Sequence, residues 1–407
     1  MLDKIELLAP AGDLEKLKIA VEYGADAVYF GGELFSLRAG AGNFTREEME
    51  EGIAFAHQRG KKCYLALNIF PHNDDIQPME AYLEEIKGME IDAFIVSDPG
   101  AMDLLKEYIP DAEIHLSTQA NMTNYRTANF WARQGVSRVV LAREMTMEEI
   151  KTLRENMPES MDIEAFVQGA MCISYSGRCL LSNFMIERDA NRGQCAHPCR
   201  WKYSLVEEQR PGEYYPIEED SRGTYILNSR DLCMIDHMPE LIEAGVTSAK
   251  IEGRMKSVFY VATVVSAYRR AIDAYYAGTA YDETWMEELK KVSHREFTTG
   301  FYFNRPTNED QNYQTSAYTR EYSFVGIVRS YDEETKMAVV EQRNKMTVGE
   351  TLEIFGPGVP YFSQKLEVLL DEKGEPLMSA PHPQQILQIK MDKPVKEHYI
   401  LRKRKGE

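Results

Sequence analysis

Cys172, Cys179, Cys195 and Cys199 fall within 28 residues in the pattern C-x6-C-x15-C-x3-C. Four soft thiolates at this density suit a metal centre, and they match both zinc and an iron–sulfur cluster. Structural zinc modules bring ligands in pairs about two to four residues apart. Cys195 and Cys199 meet that spacing and Cys172 and Cys179 do not, so the pattern leans toward iron–sulfur and leaves zinc open as the occupant. Cys63, in an apolar run, and Cys233, in a helical-looking stretch, read as core thiols. Cys233 is the reserve ligand should Cys199 not serve. Around the cluster stand Arg178, Arg188, Arg192, Arg200 and Lys202, with Trp201 and Tyr203 alongside and Glu187 and Asp189 the accompanying acids. Cations interleaved with aromatics suit phosphate contacts and base stacking, which makes Arg178, Arg192, Arg200 and Lys202 the candidate RNA-binding residues. The same arginines also suit lacing this segment to an acidic neighbour. His197, between two of the cysteines, reads as a neighbour of the ligands, with a zinc ligand or a catalytic base as the alternatives.

These residues need a frame. The first part of the chain repeats a short apolar run, a polar or Gly-containing loop and a helical pattern. Apolar runs at 5–8, 27–30, 62–67, 93–96, 113–116, 138–141 and 163–167 are near-continuous rather than alternating, as parallel strands covered on both faces require. An eighth run at 248–251 follows an interruption of about 80 residues that contains the cysteines. Eight such steps over about 275 residues predict an α/β fold, a (β/α)8 TIM-like barrel with a Cys-rich insertion between strands 7 and 8. From 322 onward, short strands separated by Gly, Pro and Asp turns predict a small all-β barrel domain. The expected organisation is 1–279 for the barrel, with the insertion at about 168–247, a connecting segment at 280–321, and the β domain at 322–407. Its tail at 402–405 is cationic and is a second expected RNA contact.

Active sites of such barrels form at the C-terminal ends of the strands. That places Glu33, Arg38, Asn68, Gln119, Asn121, Arg143, Glu252 and Arg254 near one face, with either Glu164 or Gln168. Alternation along the seventh strand favours Gln168 for the rim. Gln119, Arg143, Gln168 and Glu252 are the candidate catalytic residues, and Arg38, Asn68, Asn121 and Arg254 the candidate substrate-binding residues. Arg38, Arg143 and Arg254 offer planar forks for a small dianion. Neither H-E-x-x-H nor G-x-S-x-G occurs, and no P-loop or Rossmann fingerprint is present.

Composition bounds the rest. Of 407 residues, 43% are hydrophobic and 28% charged, an ordinary globular balance that excludes a disordered chain. No run approaches the roughly 18–20 apolar residues of a membrane span, and the start lacks a signal-peptide pattern, so a cytoplasmic protein is expected. With 65 acids against 47 Lys and Arg the net charge is −18, which opposes bulk nucleic-acid binding and requires any RNA face to be a local basic patch.

The segment EAFVQGAMC at 164–172, continuing through SGRCLLS at 176–182, resembles the signature of the U32 "peptidase" (collagenase-like) family. LLAPAG at 7–12, ADAVYFG at 25–31, NRGQC at 191–195, CRW at 199–201 and KIEGR at 250–254 extend the likeness over about 5–275. The two-part layout most resembles the prephenate-dependent tRNA uridine hydroxylases of that family. The resemblance implies an enzyme that hydroxylates C5 of the wobble uridine to 5-hydroxyuridine. It further implies a [4Fe–4S] cluster on Cys172, Cys179, Cys195 and Cys199, rim arginines holding the carboxylates of prephenate, and tRNA on the basic insertion and the β domain. Relatives that work as paired subunits leave room for a homo- or hetero-oligomer. Peptide hydrolysis, and an RNA-binding or assembly partner with a structural cluster, are the alternatives.

Overall fold

The computed structural model describes residues 4–37, 43–172, 174–201, 204–206, 214–216, 230–304 and 318–406. Arg38, Lys202 and the side chain of Arg200 lie outside the described residues. Parallel strands β1 (Glu6–Pro10), β2 (Ala27–Phe30), β3 (Lys62–Leu67), β4 (Ala93–Val96), β5 (Ile114–Leu116), β6 (Arg138–Val140) and β7 (Asp162–Ala170) pair in chain order. A short antiparallel hairpin, β8 (Ser204–Val206) and β9 (Tyr214–Pro216), and strand β10 (Asp231–Cys233) intervene before β11 (Ser248–Ile251). β11 pairs in parallel with both β7 and β1, which closes an eight-stranded barrel.

Helices α1 (Leu14–Glu22), α2 (Arg46–His57), α3 (Asn73–Ile86), α4 (Pro99–Tyr108), α5 (Tyr125–Arg133) and α6 (Met147–Asn156) alternate with the strands. Their starts follow from local chemistry. Asp13 accepts from the Lys16 N–H, and Thr45 with Glu48 and Thr146 with Glu149 form reciprocal capping boxes. The insertion carries a short helix α7 (Leu181–Ile186), and α8 (Met238–Glu243) leads into β11. After β11 the long α9 (Val258–Ala277) is apolar nearly all round, because the barrel lies on one side and the second domain on the other.

Strand β7 is longer than its neighbours. Its end, Gln168–Ala170, pairs antiparallel with β10, which pairs in turn with β12 (Phe297–Thr298). Cys233 is therefore on a strand, where a helical stretch was expected. It is buried against the Tyr268 hydroxyl, and burial pushes its thiol pKa up to about 12. Cys63, in β3, is likewise a buried thiol with a raised pKa.

The barrel interior is polar at its lower end. Arg138 bonds Glu6 at 2.6 Å and reaches Glu164 at 3.4 Å and Asp162 at 3.2 Å, while Lys250 bonds Glu164 at 2.6 Å. Tyr64 and Ser248 donate to Glu6, and His115 packs edge-on against Tyr64. Above them Leu8, Tyr29, Ile95 and their neighbours form an apolar layer.

The second domain is an antiparallel sheet in the order β17 (Phe362–Lys365), β16 (Thr351–Phe355), β21 (Ile400–Arg404), β13 (Tyr322–Asp332), β14 (Met337–Gln342), β20 (Ile386–Lys390), β18 (Leu369–Asp371). Strands β15 (Met346–Thr347) and β19 (Ser379–Ala380) form a separate pair. The sheet has its own core, including Val325, Val340, Leu352, Ile389 and Leu401. It docks on α1, on α9 and on helix α10 (Thr284–Lys290). Tyr23 donates to the His398 carbonyl, Arg329 and Arg343 both reach Glu15, and Arg402 bonds Glu288 at 2.7 and 2.9 Å. Arg402 is fully buried there and Lys403 pairs with Glu350, so half of the cationic tail serves the fold instead of forming an open RNA surface.

Breaking the interior pairs is expected to be costly. Glu164→Gln leaves the Lys250 ammonium buried without a carboxylate and should cost about 3–5 kcal/mol. The double variant Glu164→Gln/Lys250→Met should recover most of this in urea melts, and equal losses in both would deny the pair its role. Acid should act through the same groups. Burial raises the pKa of Glu164, but Lys250, Arg138 and His115 together outweigh it and hold the group below its ordinary value. Burial likewise opposes, and Arg402 and Lys291 win, at Glu288, while the His115 hydrogen bond chiefly holds Glu113 at about 2. Carboxylates depressed in the folded state contribute stability above the unfolded value of about 4.3, and it is lost as pH falls through the folded values. Unfolding free energy measured across pH should therefore hold level down to about pH 5 and then drop steadily toward pH 2.

Candidate active site

At the C-terminal ends of the strands lies a cavity of about 230 Å³. Its floor is the apolar layer of the barrel, with Tyr29, Ala66, Ile95, Val140 and Phe166 contributing, and Lys250 rising through it. The Lys250 ammonium sits 4.3 Å from the centre of the Tyr29 ring, with Glu164 beneath. Lys250, Glu252 and Arg254 alternate along β11 and the turn beyond it, so all three face the cavity.

The walls differ in chemistry. Asn68, Ser117, Thr118 and Gln119 line the arc formed by β3 and β5. Asn68 accepts from the Leu37 N–H and donates to Ser117, and Thr118 donates to the Leu141 carbonyl. Arg143, Lys250, Glu252, Arg254 and Lys256 line the opposite arc, after β6 and β11. Arg143 lies 3.5 Å from Glu252 and 4.0 Å over the Phe166 ring. Arg254 is buried, donating to Ser36 and Asn43. Among the described lining residues these four cations face one carboxylate, Glu252. The backbone allows this approach at Gly169, whose φ is +116° and where a Cβ would come within 2.7 Å of the Glu252 carbonyl.

The insertion roofs the cavity. Cys172, Cys179, Cys195 and Cys199 all line it, and so does His197. None is in a disulfide, and Cys172 is exposed. Ser182 lies 3.9 Å from the Cys195 sulfur. As a donor set, four thiols outside any disulfide on one cavity fit an iron–sulfur cluster or zinc. They are not drawn together: among the described residues no three His, Cys, Asp or Glu side chains are close enough to share a metal ion.

Of the expected site residues, Asn68, Gln119, Arg143, Glu252, Arg254 and the four cysteines thus meet at one cavity. Gln168 does not. Phe166 faces inward by regular alternation with Glu164, but a bulge in the β7–β11 register, where Lys250 pairs with Phe166 and Ile251 with Gln168, resets the count after it, so Gln168 turns outward to accept from Tyr268. Glu164 stays in the interior. Asn121 stands beside the cavity in a left-handed conformation and ties the roof down through the Ser176 carbonyl at 2.9 Å. Glu33 is exposed away from it. In the insertion Arg178 is exposed, while Arg192 pairs with Asp75 of α3, so that arginine does lace the segment to the barrel. Cys233 is not at the cavity. Sequence reasoning missed Lys250, although it shares the alternation of Glu252 and Arg254, and it missed Phe166, although it shares the alternation of Glu164.

Residues 12–312 match Peptidase family U32, and residues 320–402 match the Peptidase family U32 C-terminal domain. The chain is 44% identical over 405 residues to "tRNA hydroxylation protein P1" of Bacillus subtilis, covering 99% of this chain and 95% of that protein. It is 40% identical to "tRNA hydroxylation protein P" of Escherichia coli, covering 93% and 92%. It is 35% identical to "Collagenase" of Porphyromonas gingivalis, covering 90% of each. With both parts of the chain matched and relatives covered almost end to end, the chain belongs to peptidase family U32.

Proposed function

We propose that this protein is a tRNA-hydroxylating enzyme that converts the wobble uridine to 5-hydroxyuridine, with prephenate as hydroxyl donor, in the cytoplasm. The observation that carries the reading is the cavity itself: a cationic arc, a neutral amide and hydroxyl arc and a cysteine roof on one barrel rim. The full-length likeness to two proteins named for tRNA hydroxylation supports it. Arg143, Arg254 and Lys250 suit the two carboxylates of prephenate, and the Tyr29–Phe166 floor suits its ring. Glu252, 3.5 Å from Arg143, suits taking or giving a proton at the reacting centre.

In this reading Cys172, Cys179, Cys195 and Cys199 hold a [4Fe–4S] cluster, whose contribution when bound is one-electron chemistry that side chains lack. A wobble base lies in a loop and can be splayed out without breaking a duplex. The exposed Arg178 and Arg188, beside the exposed Tyr175, Phe184 and Trp201, suit the RNA around it. Peptide hydrolysis is the second reading, favoured by the name of the Porphyromonas relative, and it requires a nucleophile held by a base.

Protein purified without oxygen is expected to contain about four irons and four sulfides per chain. It should convert unmodified tRNA to a nucleoside one oxygen heavier only when prephenate is added. Cys172→Ala should lose the iron and the product together. Zinc without sulfide, or peptide cleavage without tRNA product, would overturn the proposal. RNA affinity should fall and its salt slope should shrink by about one for Arg178→Glu. Arg192→Glu should change it less, because that side chain is already engaged by Asp75.

A further inference from the structure

We infer that the outward face of α5 holds the phosphate backbone of the RNA stem whose loop enters the cavity, with Arg126 and Arg133 as the contacting cations. The inference rests on the tRNA-hydroxylation reading and deepens it by assigning a surface to the part of the RNA that stays outside the cavity.

The sequence already sets this part of the chain apart. Asp and Glu make up 65 of the 407 residues, yet none occurs from 114 to 143, the stretch that carries β5, α5 and β6. The roof segment 165–186 is likewise free of acids. In a chain of net charge −18, segments without carboxylates are where a polyanion meets least repulsion.

Helix α5 also departs from the helices around it. α1, α2, α3 and α6 each carry an acid in the first turn, where the helix dipole favours one. α5 has none there and places Arg126 in that turn, where the dipole disfavours a cation. Arg126, Phe130 and Arg133 follow the i, i+4, i+7 spacing of one helix face, and all three are exposed. Among the described residues neither guanidinium has a hydrogen bond or an ion pair; Arg126 only stands 5.8 Å from the ring of its neighbour Tyr125. Lys106 of α4 reaches the Gln134 carbonyl, just past Arg133, and it too lacks a carboxylate. Arg126 thus works against its own helix and pairs with nothing in the chain, and an anionic ligand supplies the missing partner.

Arg126 and Arg133 line an open groove of about 660 Å³ between α5 and the turn 158–161 that leads into β7, and no carboxylate lines it. Of the acids at its edge, Glu113 is engaged by His115 and Asp162 by Arg138, which leaves Glu159 exposed. Two arginines seven residues apart are separated by about 10 Å along the helix, which suits successive contacts on a polyanion better than one small anion. Such contacts fix the position of an RNA without reading its sequence.

The face starts beside the mouth of the cavity. Asn124 caps α5, three residues after Asn121, whose amide bonds the Ser176 carbonyl of the roof. From there the helix leads down the flank of the barrel to the turn before β6. A base inserted in the cavity leaves its stem outside, and α5 continues the surface of the roof in that direction.

The test uses the full-length protein, an anticodon stem–loop RNA and the same loop as a stemless single strand. By fluorescence anisotropy, Arg126→Ala/Arg133→Ala should bind the stem–loop about tenfold more weakly, with a salt slope smaller by about two. The stemless strand should change by less than about twofold, and Arg126→Lys/Arg133→Lys should restore most of the stem–loop affinity. Lys87→Ala/Lys290→Ala removes the same charge from α3 and α10 and should leave both RNAs unaffected. An Ala double variant that matches wild type on the stem–loop at every salt concentration overturns the inference, and so does an equal loss on both RNAs or an equal loss in the α3/α10 variant. Wild-type protein that hydroxylates tRNA while any of these holds defeats the inference alone. Wild-type protein that makes no hydroxylated product defeats the functional reading beneath it.

Discussion

The barrel depends on ion pairs inside it. Glu164 is wholly buried near the start of β7, and its charge is tolerable only because Lys250 at 2.6 Å and Arg138 at 3.4 Å meet it from the strands on either side. Arg138 is in turn shared with Glu6 of β1, across the barrel. Any register slip in these strands would carry a charged side chain to the helix-covered outer face and leave its partner alone. Apolar residues can re-pack after such a slip, whereas unpaired charges cannot. The network therefore specifies the register that closes the sheet, and it does so at the level directly below the cavity.

That position links stability to function. Lys250 is at once the partner of Glu164 and the cation of the cavity floor, with the Tyr29 and Phe166 rings beside its ammonium. A lysine on a flexible stem would blur the site; one tethered by a buried carboxylate presents its charge at a set place. Glu252 and Arg254 follow in the turn beyond the strand with the same alternation, so the register that satisfies Glu164 also aims the cationic arc. The charged residues of the cavity wall are thus carried at or just beyond strand ends and the cysteines in the insertion above.

This division explains what the sequence revealed. Continuous apolar runs betrayed all eight barrel strands, because parallel strands covered on both faces leave no room for alternation. The cysteines, Arg143, Glu252 and Arg254 were legible because polar residues right after such runs have few structural reasons to be there. Gln168 was misplaced because alternation counts residues, and one bulge between Lys250 and Ile251 resets the count without leaving a mark in composition. Cys233 was misread because a three-residue strand is too short to show any period, and its pairing with β7 is made by residues far away in the chain. The tail at 402–405 looked like a free cationic end, yet Arg402 was matched by Glu288 and Glu353 from separate elements. Long-range charge pairing has no local signature.

The acidic net charge takes on a different meaning once the cations are located. Many are consumed inside: Arg138 and Lys250 in the barrel, Arg329, Arg343 and Arg402 at the junction of the two domains. A surface left acidic overall repels RNA except where positive charge is concentrated, and the described cavity wall and the exposed arginines of the insertion are such places. Repulsion elsewhere does not weaken recognition at the site; it suppresses binding in the wrong orientation. On the proposed function, a net charge of −18 is compatible with one RNA-facing mouth, and it would narrow the ways in which an RNA loop could approach the cavity.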